Sequence, residues 1–95
     1  MIDRLLEYGI NKTTIDKIKE IDFLKYDFEV NIEETINIIN YLKNINIKNI
    51  DDLLLNSPDF FFKTKEDVEE MFNKKDINEI VRLINEDYSN IKLLY

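Results

Sequence analysis

Cysteine, histidine and tryptophan are absent from these 95 residues, and glycine and proline occur once each. Without cysteine there is no disulfide framework and no thiolate ligand or nucleophile. Without histidine there is no imidazole metal site, no Ser–His relay and no side chain that titrates unperturbed near neutral pH. A single glycine rules out phosphate-cradling loops, which need several. Long apolar runs are missing too. None exceeds three residues (Leu53–Leu55, Phe60–Phe62, Leu93–Tyr95), so no segment reads as a membrane span. The start, Met1-Ile2-Asp3-Arg4, is charged and lacks the apolar stretch of a secretory signal, which makes cytoplasmic the expected location.

Alanine and glutamine are also missing, while Ile, Asn, Lys, Phe, Tyr and Met supply 52 of the 95 residues. That bias matches AT-rich codons and makes isoleucine the default apolar residue. Its strand propensity then carries little weight, and periodicity is the better guide. With 44% hydrophobic residues the chain can form a core, and its length fits a single helical domain over residues 1–95. Twenty acidic residues against thirteen basic give a net charge of −7, spread over both halves with no basic arm. Such a field repels phosphate backbones at long range and argues against nucleic acid as the partner.

Helical periodicity and end signals run the length of the chain. Ile2, Leu5 and Leu6 form a first apolar stripe, ended by Gly9. Thr13 or Thr14, with Asp16, reads as the cap of a second helix carrying Ile15, Ile18, Ile21 and Leu24. That stride of three drifts off one helical face, so a bend or 3₁₀ turn is expected near Asp22. Phe28–Ile32 alternates and reads as an extended entry to the next helix. Asn31 with Glu34 starts a third helix, on which Ile32, Ile36, Ile39 and Leu42 share one face. Asn49 with Asp52 opens a fourth, stopped before Pro58. Thr64 with Asp67 opens a fifth and Asp76 with Glu79 a sixth, and Ser89–Tyr95 makes a final short turn.

A repeat runs through these signals. An apolar residue precedes Gly or Asn, and a short connector leads to a polar cap and an isoleucine with an aliphatic three residues on. The instances are Tyr8-Gly9 … Thr14-Ile15 … Ile18, then Ile45-Asn46 … Asn49-Ile50 … Leu53-Leu54, then Phe72-Asn73 … Asp76-Ile77 … Ile80-Val81. Glycine and asparagine tolerate the left-handed backbone best, so chain reversals are expected at Gly9, Asn46 and Asn73. An asparagine-rich composition would also place asparagine at helix ends without any repeat. The expected fold is all-α: about six short helices as two to three stacked helix-pair repeats, in a compact bundle or short curved α-solenoid.

The second unit, Leu42-Lys43-Asn44-Ile45-Asn46-Ile47 followed by Ile50, Leu53, Leu54, Pro58 and Phe60-Phe61, resembles the repeat of the mitochondrial transcription termination factor (mTERF) family. The likeness covers roughly residues 42–72. It implies units of two helices plus a short 3₁₀ helix, stacked into a curved solenoid that binds nucleic acid along a basic concave face. Asn46 stands where the family has glycine, only one proline is present, and the family's positive charge is missing. The likeness therefore bears on the fold more than on the activity. Asn46-Ile47 … Asp52-Leu53-Leu54 … Pro58 is also similar to the opening of helix-hairpin-helix and helicase-wedge segments, again without the glycine.

Acidic pairs are plentiful (Glu33-Glu34, Asp51-Asp52, Glu66-Asp67, Glu69-Glu70, Glu86-Asp87), but they fall at helix starts or on polar faces, where they complement the helix dipole. Lysine clusters have acidic neighbours within a helical turn, as solvated faces do. Phe60-Phe61-Phe62 cannot all point inward, so Phe60 or Phe62 is expected to be partly exposed. Tyr26, Tyr41, Tyr88 and Tyr95 read as amphipathic edge residues, and Leu93-Leu94-Tyr95 as an uncapped apolar end. The sequence thus predicts no catalytic, cofactor or metal residues. It predicts a small acidic interaction module that binds a protein partner or a second copy through Phe60, Phe62, Tyr88, Leu94 and Tyr95. Two other readings stand beside it. One is nucleic-acid binding in the manner of the resembled family. The other is a phage-type acidic decoy filling a basic cleft.

Overall fold

Apolar residues at helical spacing define the elements, and two left-handed residues set how they turn. The computed structural model describes residues 1–95 and contains helices without any strand. A 3₁₀ helix η1 (Ile2–Tyr8) leads into α1 (Lys12–Lys19), α2 (Asp22–Val30), α3 (Ile32–Asn44) and α4 (Ile50–Asn56). A second 3₁₀ helix η2 (Pro58–Phe62) follows, then α5 (Lys65–Asn73), α6 (Ile77–Glu86) and a third 3₁₀ helix η3 (Tyr88–Leu94). No helix is long and apolar enough to cross a membrane.

The count of about six helices is too low, for two physical reasons. Ile21 adopts an extended backbone (φ −112°, ψ 102°) and splits one expected helix into α1 and α2, so the bend foreseen near Asp22 is a full break. Pro58, whose ring fixes φ, does more than stop α4: it sits in the first turn of η2. Phe28–Val30, read as extended, belongs to α2, because Leu24 and Phe28 lie one turn apart and both face the core.

Gly9 (φ 87°) and Asn46 (φ 72°) are the two residues with positive φ. Each closes a helix with the same pair of bonds. The Gly9 amide donates to the Leu6 carbonyl and the Ile10 amide to the Leu5 carbonyl, both at 3.2 Å. The Asn46 amide donates to Lys43 (3.0 Å) and the Ile47 amide to Leu42 (2.9 Å). These are Schellman closures, and the isoleucine after each left-handed residue is buried. Asn73 does not behave this way. It is the last residue of α5, followed by Lys74 in the right-handed region (φ −78°). The third expected reversal is therefore not a left-handed turn.

Local caps form where the sequence placed them for α5 and α6. Thr64 accepts from the Asp67 amide (3.1 Å) and Asp76 from the Glu79 amide (3.3 Å). Elsewhere the partner comes from a distant helix. Asp51 Oδ2, on α4, accepts from the Asn11 amide (2.9 Å) and the Thr14 hydroxyl (2.7 Å) at the start of α1. Thr14 is thus a buried donor to Asp51, and neither it nor Thr13 caps its own helix. Glu34 reaches the Lys65 amide of α5 (3.1 Å), while Asn31 donates to the Asp27 carbonyl (2.8 Å). Asn85, on α6, accepts from the Lys48 amide (2.8 Å) and donates to the Asn46 carbonyl (2.9 Å). Asn49 likewise donates to the Ile84 carbonyl (2.8 Å) and makes no cap of its own.

Twenty-four buried apolar residues, from Ile2 to Leu94, form one contiguous core within a body of 35 × 24 × 22 Å. Thr35 is fully buried among them, and its hydroxyl donates to the Phe61 carbonyl at 3.2 Å. Aromatic rings meet edge to face at Phe28–Phe62 (4.9 Å), Tyr41–Phe72 (5.8 Å) and Phe60–Phe61 (5.7 Å).

A methyl group on Gly9 would lie 3.0 Å from Lys43 Nζ and sit on a left-handed backbone. Gly9→Ala is expected to cost about 1–2 kcal/mol and Asn46→Ala about 1 kcal/mol, whereas Asn46→Gly leaves stability within a few tenths. Urea unfolding midpoints of the three variants check this ordering.

Candidate functional site

Most of the charged side chains have structural partners. Arg4 pairs with Glu33, Lys12 with Asp16, Lys19 with Asp3, Lys65 with Glu69 and Lys74 with Glu70. Arg82 lies between Glu79 and Glu86, at 2.5 Å from each. The hydrogen bond from Lys19 holds the Asp3 carboxyl below its ordinary range, and bonds from the Ser89 amide and hydroxyl do the same for Asp87. No three carboxylates converge in an arrangement that could hold a cation. Of the lysine and arginine clusters noted in the sequence, Lys12, Lys19, Lys65, Lys74 and Arg82 are paired with acidic neighbours, while Lys17, Lys63 and Lys75 are not.

Helix α2, like α4, η2 and η3, makes none of these pairs, and unlike α4 it lends no carboxylate to the end of another helix. None of its side chains, nor that of the preceding Glu20, takes part in an ion pair. Leu24 and Phe28 bury its inner face, and Phe28 anchors it through the edge-to-face contact with Phe62. Its outer face is apolar as well. Phe23, Tyr26 and Val30 stand at i, i+3 and i+7 and are 72%, 67% and 62% exposed. At about 100° per residue these three fall on one narrow stripe, flanked by Asp22 and Glu29 on one side and Asp27 on the other. A helix with apolar residues on both faces, standing at the surface, has one face without a partner.

The five residues read from the sequence as a binding surface are not gathered. Phe60 is fully buried beside Phe61, because the tight 3₁₀ turn after Pro58 directs both rings into the core. Leu94 is buried too, since η3 folds its inner face against α6. Neither side chain is available to a partner on this surface. Phe62 is half-buried against Phe28, and Tyr88 is half-buried against the core. Tyr95 is exposed, with the Lys63 ammonium 5.2 Å from its ring centroid, and partial burial raises its hydroxyl pKa. Of the four edge tyrosines only Tyr26 belongs to the stripe on α2. The signal that could have found the stripe is the offset between Phe23/Tyr26/Val30 and Leu24/Phe28, legible once the helix is known to begin at Asp22.

Two concave features remain. A polar groove of about 590 Å³ between α3 and α5 is lined by Asn37, Asn40, Asn44 and Tyr41 opposite Lys65 and Glu69. Burial, and then the Glu69 charge, raise the Tyr41 pKa, so its hydroxyl stays protonated at neutral pH. A smaller cleft of about 280 Å³ lies between α6 and η3, floored by Ile80, Leu83 and Leu93. The groove sets the Tyr41 hydroxyl beside the Lys65–Glu69 ion pair, and the cleft sets Lys75, Asp76 and Glu79 around its apolar floor. Comparison with protein families, with curated proteins and with solved structures finds no match for the chain.

The carboxylates therefore divide into those that hold the fold and those that do not. Asp51→Ala leaves the Asn11 amide and Thr14 hydroxyl without their acceptor and is expected to cost about 1–2 kcal/mol. Asp27→Asn and Glu29→Gln are expected to fall within about 0.5 kcal/mol of the parent. Thermal and urea unfolding of the three variants tests the division.

Proposed function

We propose that the protein is a small non-enzymatic interaction module that presents the outer face of α2 to another protein. The observation that carries this reading is the exposed Phe23, Tyr26 and Val30 stripe, because large apolar side chains in line on a helix lose most when left in water. Tyrosine and phenylalanine are also residue types enriched where proteins meet. The helix-pair construction belongs to the same reading. It is supported by the matching closures at Gly9 and Asn46, and by the order α3, α4, η2, which follows the pattern of two helices and a 3₁₀ helix.

Two other readings remain distinct. Nucleic-acid binding, suggested by the mTERF-like stretch, would need free cations, and the ion pairs of Arg4, Lys12, Lys19, Lys65, Lys74 and Arg82 favour a protein partner instead. The acidic decoy draws support from the unpaired carboxylates of α2, and it differs in needing no apolar contact.

Replacing the stripe separates them. The triple variant Phe23→Ser, Tyr26→Ser, Val30→Ser removes only exposed apolar surface, so its thermal midpoint should match or exceed that of the parent. In affinity capture from the native lysate, proteins retained by the parent should be lost with the triple variant. Retention of the same proteins by both, or steeply salt-dependent binding of labelled DNA or RNA by the parent, overturns the reading.

A further inference from the structure

The chemistry of the stripe's surroundings also says what kind of protein surface can cover it. The apolar line is one helix wide and two turns long, which suits packing of a second helix alongside it by ridges into grooves. Its borders are of one sign. Asp22 and Glu29 lie on one flank, Asp27 on the other, and Glu20 just ahead of the helix. None of the four is ion-paired. Elsewhere Asp3, Asp16, Glu33, Glu69, Glu70, Glu79 and Glu86 meet a lysine or arginine, while Glu7, Asp52, Asp59, Glu66 and Asp67 do not, and none of these five borders an exposed apolar row of three. Lys25 is the one cation on α2, and it sits outside Glu29, away from the stripe.

Three occupants are conceivable for such a face. A second copy would bring these carboxylates against their own equivalents, and like charges across an interface cost affinity. An anionic membrane surface meets the same repulsion. A helix that carries an apolar stripe between rows of lysine or arginine meets none. It would cover Phe23, Tyr26 and Val30 while its cations supply the direct ion pairs that these carboxylates lack.

We propose that α2 docks a basic amphipathic helix of a partner protein, with apolar residues against Phe23, Tyr26 and Val30 and cations against Asp22, Asp27 and Glu29. This rests on the reading of α2 as the contact surface and adds the chemistry of what binds there. The mode is helix against helix, with electrostatics steering the encounter and the apolar stripe holding the complex.

The test uses the full chain and two fluorescently labelled synthetic helical peptides. Both carry leucine at i, i+3, i+4 and i+7; one has lysine in the flanking positions and the other glutamate. Fluorescence anisotropy at low and moderate salt, with sedimentation of the protein alone, gives the readouts. The lysine peptide should bind at least about tenfold more tightly than the glutamate peptide, and more weakly as salt rises. The Phe23→Ser, Tyr26→Ser, Val30→Ser variant should weaken that binding at least about tenfold. The Asp22→Asn, Asp27→Asn, Glu29→Gln variant should remove the preference for lysine.

Equal binding of both peptides, dependent on the stripe, overturns the basic partner and leaves α2 as the contact surface. A dimer in sedimentation that the triple serine variant abolishes does the same, and makes a second copy the occupant. Binding of the lysine peptide that is indifferent to the serine variant overturns both this proposal and the reading beneath it. Failure of the lysine peptide to bind overturns the basic amphipathic-helix partner, and the lysate comparison then decides the contact surface independently.

Discussion

No helix in this protein is long enough to be stable by itself. The longest, α3, has 13 residues and the others ten or fewer, while isolated helices below about 12–15 residues are marginal in water. Every helix therefore depends on what its neighbours provide, and they provide more than apolar contact. Asp51 caps α1 from α4, Glu34 caps α5 from α3, and Asn85 of α6 takes both a donor and an acceptor from the turn at Asn46–Lys48. Short polar side chains on one helix thus complete the ends of another. The two left-handed residues place the chain so that those ends come within reach.

This division of labour shapes the surface. A carboxylate that caps a distant helix or pairs with a lysine across a turn is committed to the fold, and such residues populate η1, α1 and α3 to α6. Helix α2 contributes burial through Leu24 and Phe28 and no side-chain ion pair. Its outer face is consequently free of structural duty, both in its apolar stripe and in its acids. Exposed ion pairs add little stability, so their presence elsewhere is no reason to expect them here. An apolar row flanked by unpaired charge is a different matter, because neither component helps the isolated chain.

The sequence carried the helical class, because Ile32, Ile36, Ile39 and Leu42 or Ile77, Ile80 and Ile84 leave a period that composition cannot mask. It also carried every cap whose donor lies three residues away, at Thr64 and Asp76. It failed where the partner is remote. Nothing near Asn11 reveals that its amide is held by a residue 40 positions later, and nothing near Glu34 marks it as belonging to α5. Asn73 shares its residue type with Asn46 but not its φ, since residue type permits the left-handed region without requiring it. The exposed stripe on α2 was missed for a related reason. Phe60 and Leu94 looked exposable in short aromatic or terminal runs, and only the path of η2 and η3 turns them inward. Phe23, Tyr26 and Val30 show no shared face while α1 and α2 are taken as one helix on the stride Ile15, Ile18, Ile21 and Leu24.

The remote caps also bear on how the protein is made. During synthesis α1 emerges well before Asp51, so the Asn11 amide at its start has only water to bond until that residue, 40 positions later, leaves the ribosome. The turn at Asn46 waits in the same way for Asn85, 39 positions on. Helix α1 and the turn after α3 are each finished by atoms translated afterwards, whereas α5 takes Glu34 from a helix translated before it. A nascent chain stopped short of Asp51 or of Asn85 would leave the start of α1 or the turn after α3 to water alone.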